Sequence, residues 1–516
     1  MQEGSGTVVV QVDAWAVGAF VGFLLVLVGI GAYSVRFSSL GIGHFFVGGR
    51  RINRLVVALS AVVSGRSAWL LLGVTGMAWS MGISAVWAVA GYTTAEFFLF
   101  FFFARRLRRF SEVHDCVTVT DFFAERFGDP SGALRVLIAV VLVVFMTAYV
   151  SAQFVGGGKA IGASFGLEPS TGILLTALIV LAYTTVGGFL AVSLTDTLQA
   201  FFMIAALVGL PILAVVEAGG WGVVAAELAA WQPGHLDFLA LGGGSLLAMV
   251  GIGLGSPGNP HILVRYMSID DAEQLRWAAW TGTAANVVMG AGAVFLGMVG
   301  RVWVPELSML PAQDTENLYP FLAQELLHPL LFGMVVASIF AAIMSTADSQ
   351  LLVGASALVR DVYEKVVRLG EEIPQGLLVF LSRAVVVALV AVALALGWMA
   401  EDLVFWLVLF AWAGLGAALG PTAILALYWR RTTRAGVAAG ILTGAVTTVI
   451  WYLTPALREL VYELIPAFFL AAAVTVVVSC FTAPPPGRDE AFRVMTTPMA
   501  DPHSAEGAEA PTTPAG

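Results

Sequence analysis

Thirteen stretches of this chain are each long and apolar enough to cross the hydrocarbon core of a bilayer, which takes about 20 helical residues. They fall near 13–34, 55–82, 84–104, 135–158, 170–187, 191–216, 244–265, 275–303, 330–357, 379–399, 403–428, 433–453 and 462–482. Their apolar residues run on without alternating, so they read as helices and not barrel strands. The chain is 59% hydrophobic and only 11% charged, whereas soluble domains carry about 25% charged residues. The fold class predicted is an all-α integral membrane protein, with the membrane domain over 1–482. The tail over 483–516, rich in Pro, Ala, Glu and Thr, is expected to be disordered and cytoplasmic.

Basic residues set the orientation. Arg36, Arg50, Arg51 and Arg54 follow the first stretch, Arg105, Arg106, Arg108 and Arg109 the third, and Arg265 and Arg276 the seventh. Arg360, Lys365 and Arg368 follow the ninth, and Arg430, Arg431 and Arg434 the eleventh. These alternate loops are the cytoplasmic ones by the positive-inside rule, which puts the N-terminus outside. Arginines this dispersed exclude a nucleic-acid face. Cys116 and Cys480, on a cytoplasmic loop and in the last stretch, indicate no disulfide or metal site. Met1-Gln2-Glu3-Gly4-Ser5 lacks a basic region, so no cleaved signal peptide is expected.

Several polar residues stand where lipid would not tolerate them. Arg66 lies inside the second stretch beside Ser64, Gly65 and Ser67, which weaken the helix. A guanidinium at mid-bilayer costs about 2.5–3.5 kcal/mol, so it must face a cavity or a partner. Glu96 in the third stretch and Asp348 in Ser345-Thr346-Ala347-Asp348-Ser349-Gln350 lie, like Arg66, roughly 12–17 Å from the cytoplasmic ends of their helices. Arg66 is therefore expected to pair with Glu96 or Asp348. The seventh stretch, Gly251-Ile252-Gly253-Leu254-Gly255-Ser256-Pro257-Gly258-Asn259-Pro260-His261, must be broken too. Two interrupted helices at corresponding places in two halves point to an inverted-repeat transport site, with repeats over 55–216 and 244–428.

Other polar residues have weaker claims. Thr147, Tyr149, Ser151 and Gln153 in the fourth stretch serve helix packing or a solute or ion path. Asp196 among hydroxyls is a cation ligand or a helix-start charge, and His261 is a structural histidine or one that couples protons. The loop 105–134 holds a short amphipathic surface helix around Asp121–Phe127, and Gly187-Gly188 a tight turn. Gly162-Ala163-Ser164-Phe165-Gly166 fits a nucleophile-elbow pattern without the strand-to-helix context it needs. No metalloprotease or P-loop motif occurs. An enzyme is not indicated.

Val47-Gly48-Gly49-Arg50, Ser67-Ala68-Trp69-Leu70-Leu71-Leu72-Gly73, Tyr183–Gln199 and Gly258–Arg265 carry a family resemblance, as do Met344-Ser345-Thr346, Arg360-Asp361-Val362-Tyr363 and Ala411–Gly416. Over roughly 40–480 the chain resembles the sodium:solute symporters, most of all the bacterial sodium/proline symporters. The resemblance implies a LeuT-like five-plus-five inverted repeat in a bacterial inner membrane, moving a small organic solute such as proline with Na+ by alternating access. It implies a sodium site of the backbone carbonyls of Val63, Arg66 and Ala342 with the hydroxyls of Ser345 and Thr346. A second sodium position in some relatives would involve Asp196 with Ser345 and Thr346. The solute would lie against Trp69, Tyr149, Gln153 and the unwound part of the seventh helix.

Two departures from the family pattern carry consequences. Proline symporters place an aspartate where this chain has Gly65 and an uncharged residue at Arg66. Their aromatic solute contacts fall on Ile252 and Ser256. Arg66 could then replace the cation and make transport independent of sodium, or only repack the helices while sodium still binds. A membrane sensor that keeps the fold without coupling is the competing class.

Overall fold

The computed structural model describes residues 13–38, 42–400 and 402–496. Their regular structure is helical, apart from one isolated bridge between Ile52 and Ile269. Ten helical segments among the described residues are long and apolar enough to cross a membrane, and the shorter Arg54–Ser64 and Pro169–Ala182 are apolar helices too. After α1 (Ala14–Ser38) the chain enters α2 (Arg54–Ser64), whose start is fixed by Asn53 Oδ1 accepting the N–H groups of Leu55 and Val56 at 3.0 Å each. A π-helical turn, Trp69–Val74, and α3 (Thr75–Met81) complete the second stretch. The third begins as α4 (Val86–Phe98).

The loop helix α5 (Val119–Phe127) starts with a capping box between Thr118 and Asp121. It is not an open surface helix, because Phe122, Phe123 and Phe127 are buried against the bundle. Arg50, one of the basic residues after the first stretch, donates to Asp115 Oδ1 (3.0 Å) and to the carbonyls of Ser111 (2.9 Å) and Cys116 (2.8 Å). The long α6 (Ala133–Phe165) and α7 (Pro169–Glu217) follow. α7 is bent at Gly188, whose φ of 65° is the left-handed conformation that glycine adopts freely. The predicted turn is therefore there.

The seventh stretch is α8 (Gly243–Gly251), a 3-10 run Ile252–Gly258, and α9 (Pro260–Ser268), with Asn259 in an extended conformation between them. The remaining stretches are α10 (Leu275–Trp303), α11 (Pro329–Ser356), α12 (Gln375–Trp398), α13 (Val404–Tyr428), α14 (Arg434–Leu453) and α15 (Leu464–Phe481). α2 packs against α7, α10 and α11, while the run 252–258 lies between α4 and α13. Both broken helices are thus held at the centre of the bundle. Side-chain-free positions make the second approach possible: a Cβ on Gly255 would stand 2.0 Å from Trp412 Nε1.

The tail is ordered further than expected. α16 (Arg488–Thr496) buries Ala491, Phe492 and Met495, three apolar residues on one helical face. Phe492 sits 5.1 Å from the Arg126 guanidinium carbon and 5.5 Å from that of Arg430. The rest of the expected disordered tail, 497–516, lies outside the described residues.

Candidate functional site

At the end of α2 the helical ladder tightens: Gly65 and Arg66 donate their N–H groups to the carbonyls of Val62 (3.1 Å) and Val63 (2.9 Å). Ser67 then takes a φ of 51°, uncommon for a residue with a side chain, and ends the helix. The next segment needs partners for its first N–H groups. Ser67 Oγ accepts from Trp69 N at 3.1 Å, and Gln153 Oε1, from α6, accepts from Ala68 N at 2.9 Å. Gln153 is therefore a cap on the broken helix with only its Nε2 left without a partner.

The break turns Arg66 inward to 1% exposure. Its Nη2 donates to Glu96 Oε2 and its Nε to Asn286 Oδ1 at 2.7 Å. Asn286 Nδ2 in turn donates to Glu96 Oε2 at 2.7 Å, which closes a triangle between α2, α4 and α10. The guanidinium also lies over the Tyr92 ring, 4.0 Å from its centroid. One cation and one anion meet here with no net charge.

Asp348 is not part of this group. Distance along a helix sets depth but leaves the direction around the axis open, and Asp348 points elsewhere. Its Oδ1 accepts from Ser349 Oγ at 3.2 Å, and it lies within electrostatic reach of Asp196 and Arg265. Asp196 Oδ2 accepts from Ser60 Oγ (2.6 Å), Ser64 Oγ (3.1 Å) and Arg265 Nη2 (3.2 Å). Arg265 also bonds Ser349 Oγ and the His261 carbonyl. The structure thus holds two separate buried ionic groups on either side of α2.

Between them, α2 and α11 present oxygens to each other. Ser345 Oγ donates to the carbonyls of Ala342 (3.0 Å) and Val63 (3.4 Å), and Thr346 Oγ1 donates to the Ser64 carbonyl at 2.9 Å. The Arg66 carbonyl accepts from Leu70 N at 3.1 Å. Carbonyl and hydroxyl oxygens are the donors a hard cation prefers. Asp196 is bonded to Ser60 and Ser64 of α2 and to Arg265 of α9 rather than to Ser345 and Thr346.

On the other side of the break, Trp69, Tyr149 and Ile252 line one small pocket together with Gly65, Arg66, Tyr92 and Trp412. Gln153 and Ser256, expected with them, are buried outside this lining. The Trp412 indole donates to the Ile252 carbonyl at 2.8 Å, which ties the unwound run to α13. Trp69 stacks on Phe405, 5.7 Å between centroids. Ile252 and Leu409 also wall a cavity of about 700 Å³ that reaches Met77, Thr315, Tyr452 and Glu463. Burial pushes the Glu463 carboxyl, in the loop before α15, up to about 7. On the opposite side of the break, beside Arg265 and Ser349, the cavity measures only about 20 Å³.

Thr118, in the wall of that narrow side, leads to a charged cluster. Arg135 at the start of α6 donates to Asp121 Oδ1 at 2.6 Å and to Asp361 Oδ1 at 3.4 Å, and Asp361 also accepts from Thr118 Oγ1 at 2.8 Å. Sequence reasoning missed this cluster, together with Asn286 and the inward turn of Arg265. Arg265 follows His261 by one helical turn on a helix that begins at Pro260, a spacing that could have placed it inside.

Known proteins bear on what such an arrangement is. Sodium/proline symporters of several Staphylococcus aureus strains are 38% identical over 488 residues, covering 92% of this chain and 94% of theirs. In fold, the chain is similar to a Na+-coupled sialic acid symporter in a substrate-bound outward-open state, with a TM-score of 0.75 at 16% identity, covering 92% of this chain and 99% of that one. A nucleobase-cation-symport-1 family transporter matches with a TM-score of 0.54 at 14% identity, covering 87% and 98%. Residues 45–444 match the model of the sodium:solute symporter family, and with a 38% identical relative over nearly the whole chain, the protein belongs to that family.

Proposed function

We propose that this protein is a sodium-coupled symporter that carries a small organic solute, an amino acid such as proline, across a bacterial cell membrane by alternating access. The observation that carries the reading is the facing of Ser345 and Thr346 on α11 toward the Val63 and Ser64 carbonyls where α2 stops. Sodium would bind there, held by Val63, Ala342, Ser345, Thr346 and the carbonyl of Arg66, with Asp196 as the nearest carboxylate of a second position. The solute would sit across the break against Trp69, Tyr149 and Ile252, with Gln153 and Ser256 supporting the two interrupted helices. The 700 Å³ cavity is its entrance from outside, and the Arg135 lock keeps the cytoplasmic side closed.

The same reading takes thirteen crossings, the N-terminus outside, and a LeuT-like pair of repeats over 55–216 and 244–428. α2–α3 and α8–α9 are then the matching interrupted helices, whose exposed backbone groups serve ions and solute. Independence from sodium, with Arg66 paired and standing in for the cation, would need its guanidinium at the oxygens of Val63, Ser345 and Thr346. It bonds Glu96 and Asn286 instead, which favours the sodium-coupled reading. Uptake of radiolabelled L-proline and other amino acids into proteoliposomes tests the proposal: an inward sodium gradient should drive accumulation, and equal accumulation in choline would refute the coupling.

A further inference from the structure

Arg66 and Glu96 are not fully used by each other. Glu96 Oε2 takes both Arg66 and Asn286, while Glu96 Oε1 is buried with no hydrogen-bond partner. Of the five guanidinium N–H groups, Nε serves Asn286 and one on Nη2 serves Glu96. Nη1 reaches only the Gly65 carbonyl, at 3.3 Å. A buried polar group left without a partner costs stability unless something fills its place. Arg66 is a wall of the pocket beside Trp69 and Tyr149. Gly65 is another wall, and the place its Cβ would occupy is 3.5 Å from Glu96 Oε1. The open donors thus stand in the pocket wall at Arg66, and the open acceptor of the same ion pair lies outside the lining, next to Gly65.

We propose that this pair reads the two charged ends of a zwitterion: the Arg66 guanidinium takes the solute carboxylate, and Glu96 Oε1 takes an N–H of the primary or secondary ammonium. The inference rests on the solute pocket assigned above and names the residues that select its occupant. Charge balance selects the class. Arg66 and Glu96 together are neutral, so a zwitterion adds no net charge to the low-dielectric interior. A plain carboxylate or a plain amine adds one, at the desolvation cost of an uncompensated buried ion. Glycine at 65 suits this role, since a Cβ there would take up the space beside Oε1 at 3.5 Å and press on Ile262 Cδ1 at 3.0 Å.

The test uses the full chain in detergent with sodium present. Thermal stabilisation is measured with L-proline, other α-amino acids and betaine, and with one-ended analogues such as pyrrolidine and tetrahydrofuran-2-carboxylate. At least one zwitterion should stabilise the protein at concentrations where its one-ended analogues do nothing. Arg66→Gln with Glu96→Gln, which keeps the pair neutral and hydrogen-bonding, should weaken that zwitterion about tenfold to a hundredfold. Gly65→Ala should weaken it without touching either charge. Stabilisation by one-ended analogues alone, by both kinds equally, or by none of the panel overturns the proposal, as does unaltered binding to the double variant. Sodium-driven uptake of the same zwitterion separates the two readings. Binding without uptake would sink the symport reading alone; uptake with equal competition by the one-ended analogues would sink this one alone.

Discussion

Replacing Arg66 by glutamine strands a carboxylate in the core of the bundle. Glu96 is 1% exposed, and without the guanidinium its one remaining partner is Asn286 Nδ2. Removing one member of a buried pair costs about 3–5 kcal/mol, most of it the price of the ion left behind. Arg66→Gln and Glu96→Gln should each lose that much, because the partner of each is equally buried. The double variant leaves no buried ion, and its two amides can still bond Asn286. It should therefore recover most of the loss, giving a coupling energy of at least about 2 kcal/mol, far above the roughly 0.5 kcal/mol within which independent sites add. Denaturant unfolding of the four proteins in detergent measures the cycle. Additive losses, or single losses under about 1 kcal/mol, would refute the closed triangle of Arg66, Glu96 and Asn286.

Three further outcomes are expected. Trp69→Ala should lower amino-acid uptake about tenfold or more while Leu72→Ala, an equally buried change in the same turn, lowers it little; equal effects would misplace the pocket. Arg135→Gln removes the shared donor of Asp121 and Asp361, so it should speed maleimide labelling of buried Cys116 about tenfold in a Cys480→Ser background; an unchanged rate would mean the lock does not close that side. Glu463, raised from 4.5 to about 7 by burial, favours the folded state when protonated. That contribution is whole below about pH 4.5 and lost as pH rises through about 7, so wild type should fall relative to Glu463→Gln by up to about 3 kcal/mol between about pH 5 and pH 8. Parallel stability profiles would contradict the shift.

The positions of both helix breaks were legible because glycine, proline and serine weaken a helix locally, and they are concentrated at Gly65 to Ser67 and Gly251 to Pro260. Arg66 with Glu96 was legible as one of two pairings, since a lone charge in lipid requires a partner. Asp348 went astray because helical rise gives depth and says nothing of azimuth. Arg265 was read as a loop charge, yet α9 turns it onto Asp196, and only the packing of α9 against α2 reveals this. Asn286 carried no signal beyond being polar in an apolar helix. The α16 residues Ala491, Phe492 and Met495 were masked by a polar, proline-rich neighbourhood, and their order comes from docking, not from propensity.

The central claim is that Ser345 and Thr346 meet the end of α2 to hold the coupling ion. Initial rates of radiolabelled L-proline uptake by proteoliposomes, measured against external sodium, test it most directly. Wild type should show saturable dependence on sodium, and Ser345→Ala with Thr346→Val should raise the half-saturating concentration about tenfold or more while the protein still folds. Full uptake in choline, or a half-saturating concentration that the double substitution leaves unchanged, would contradict it.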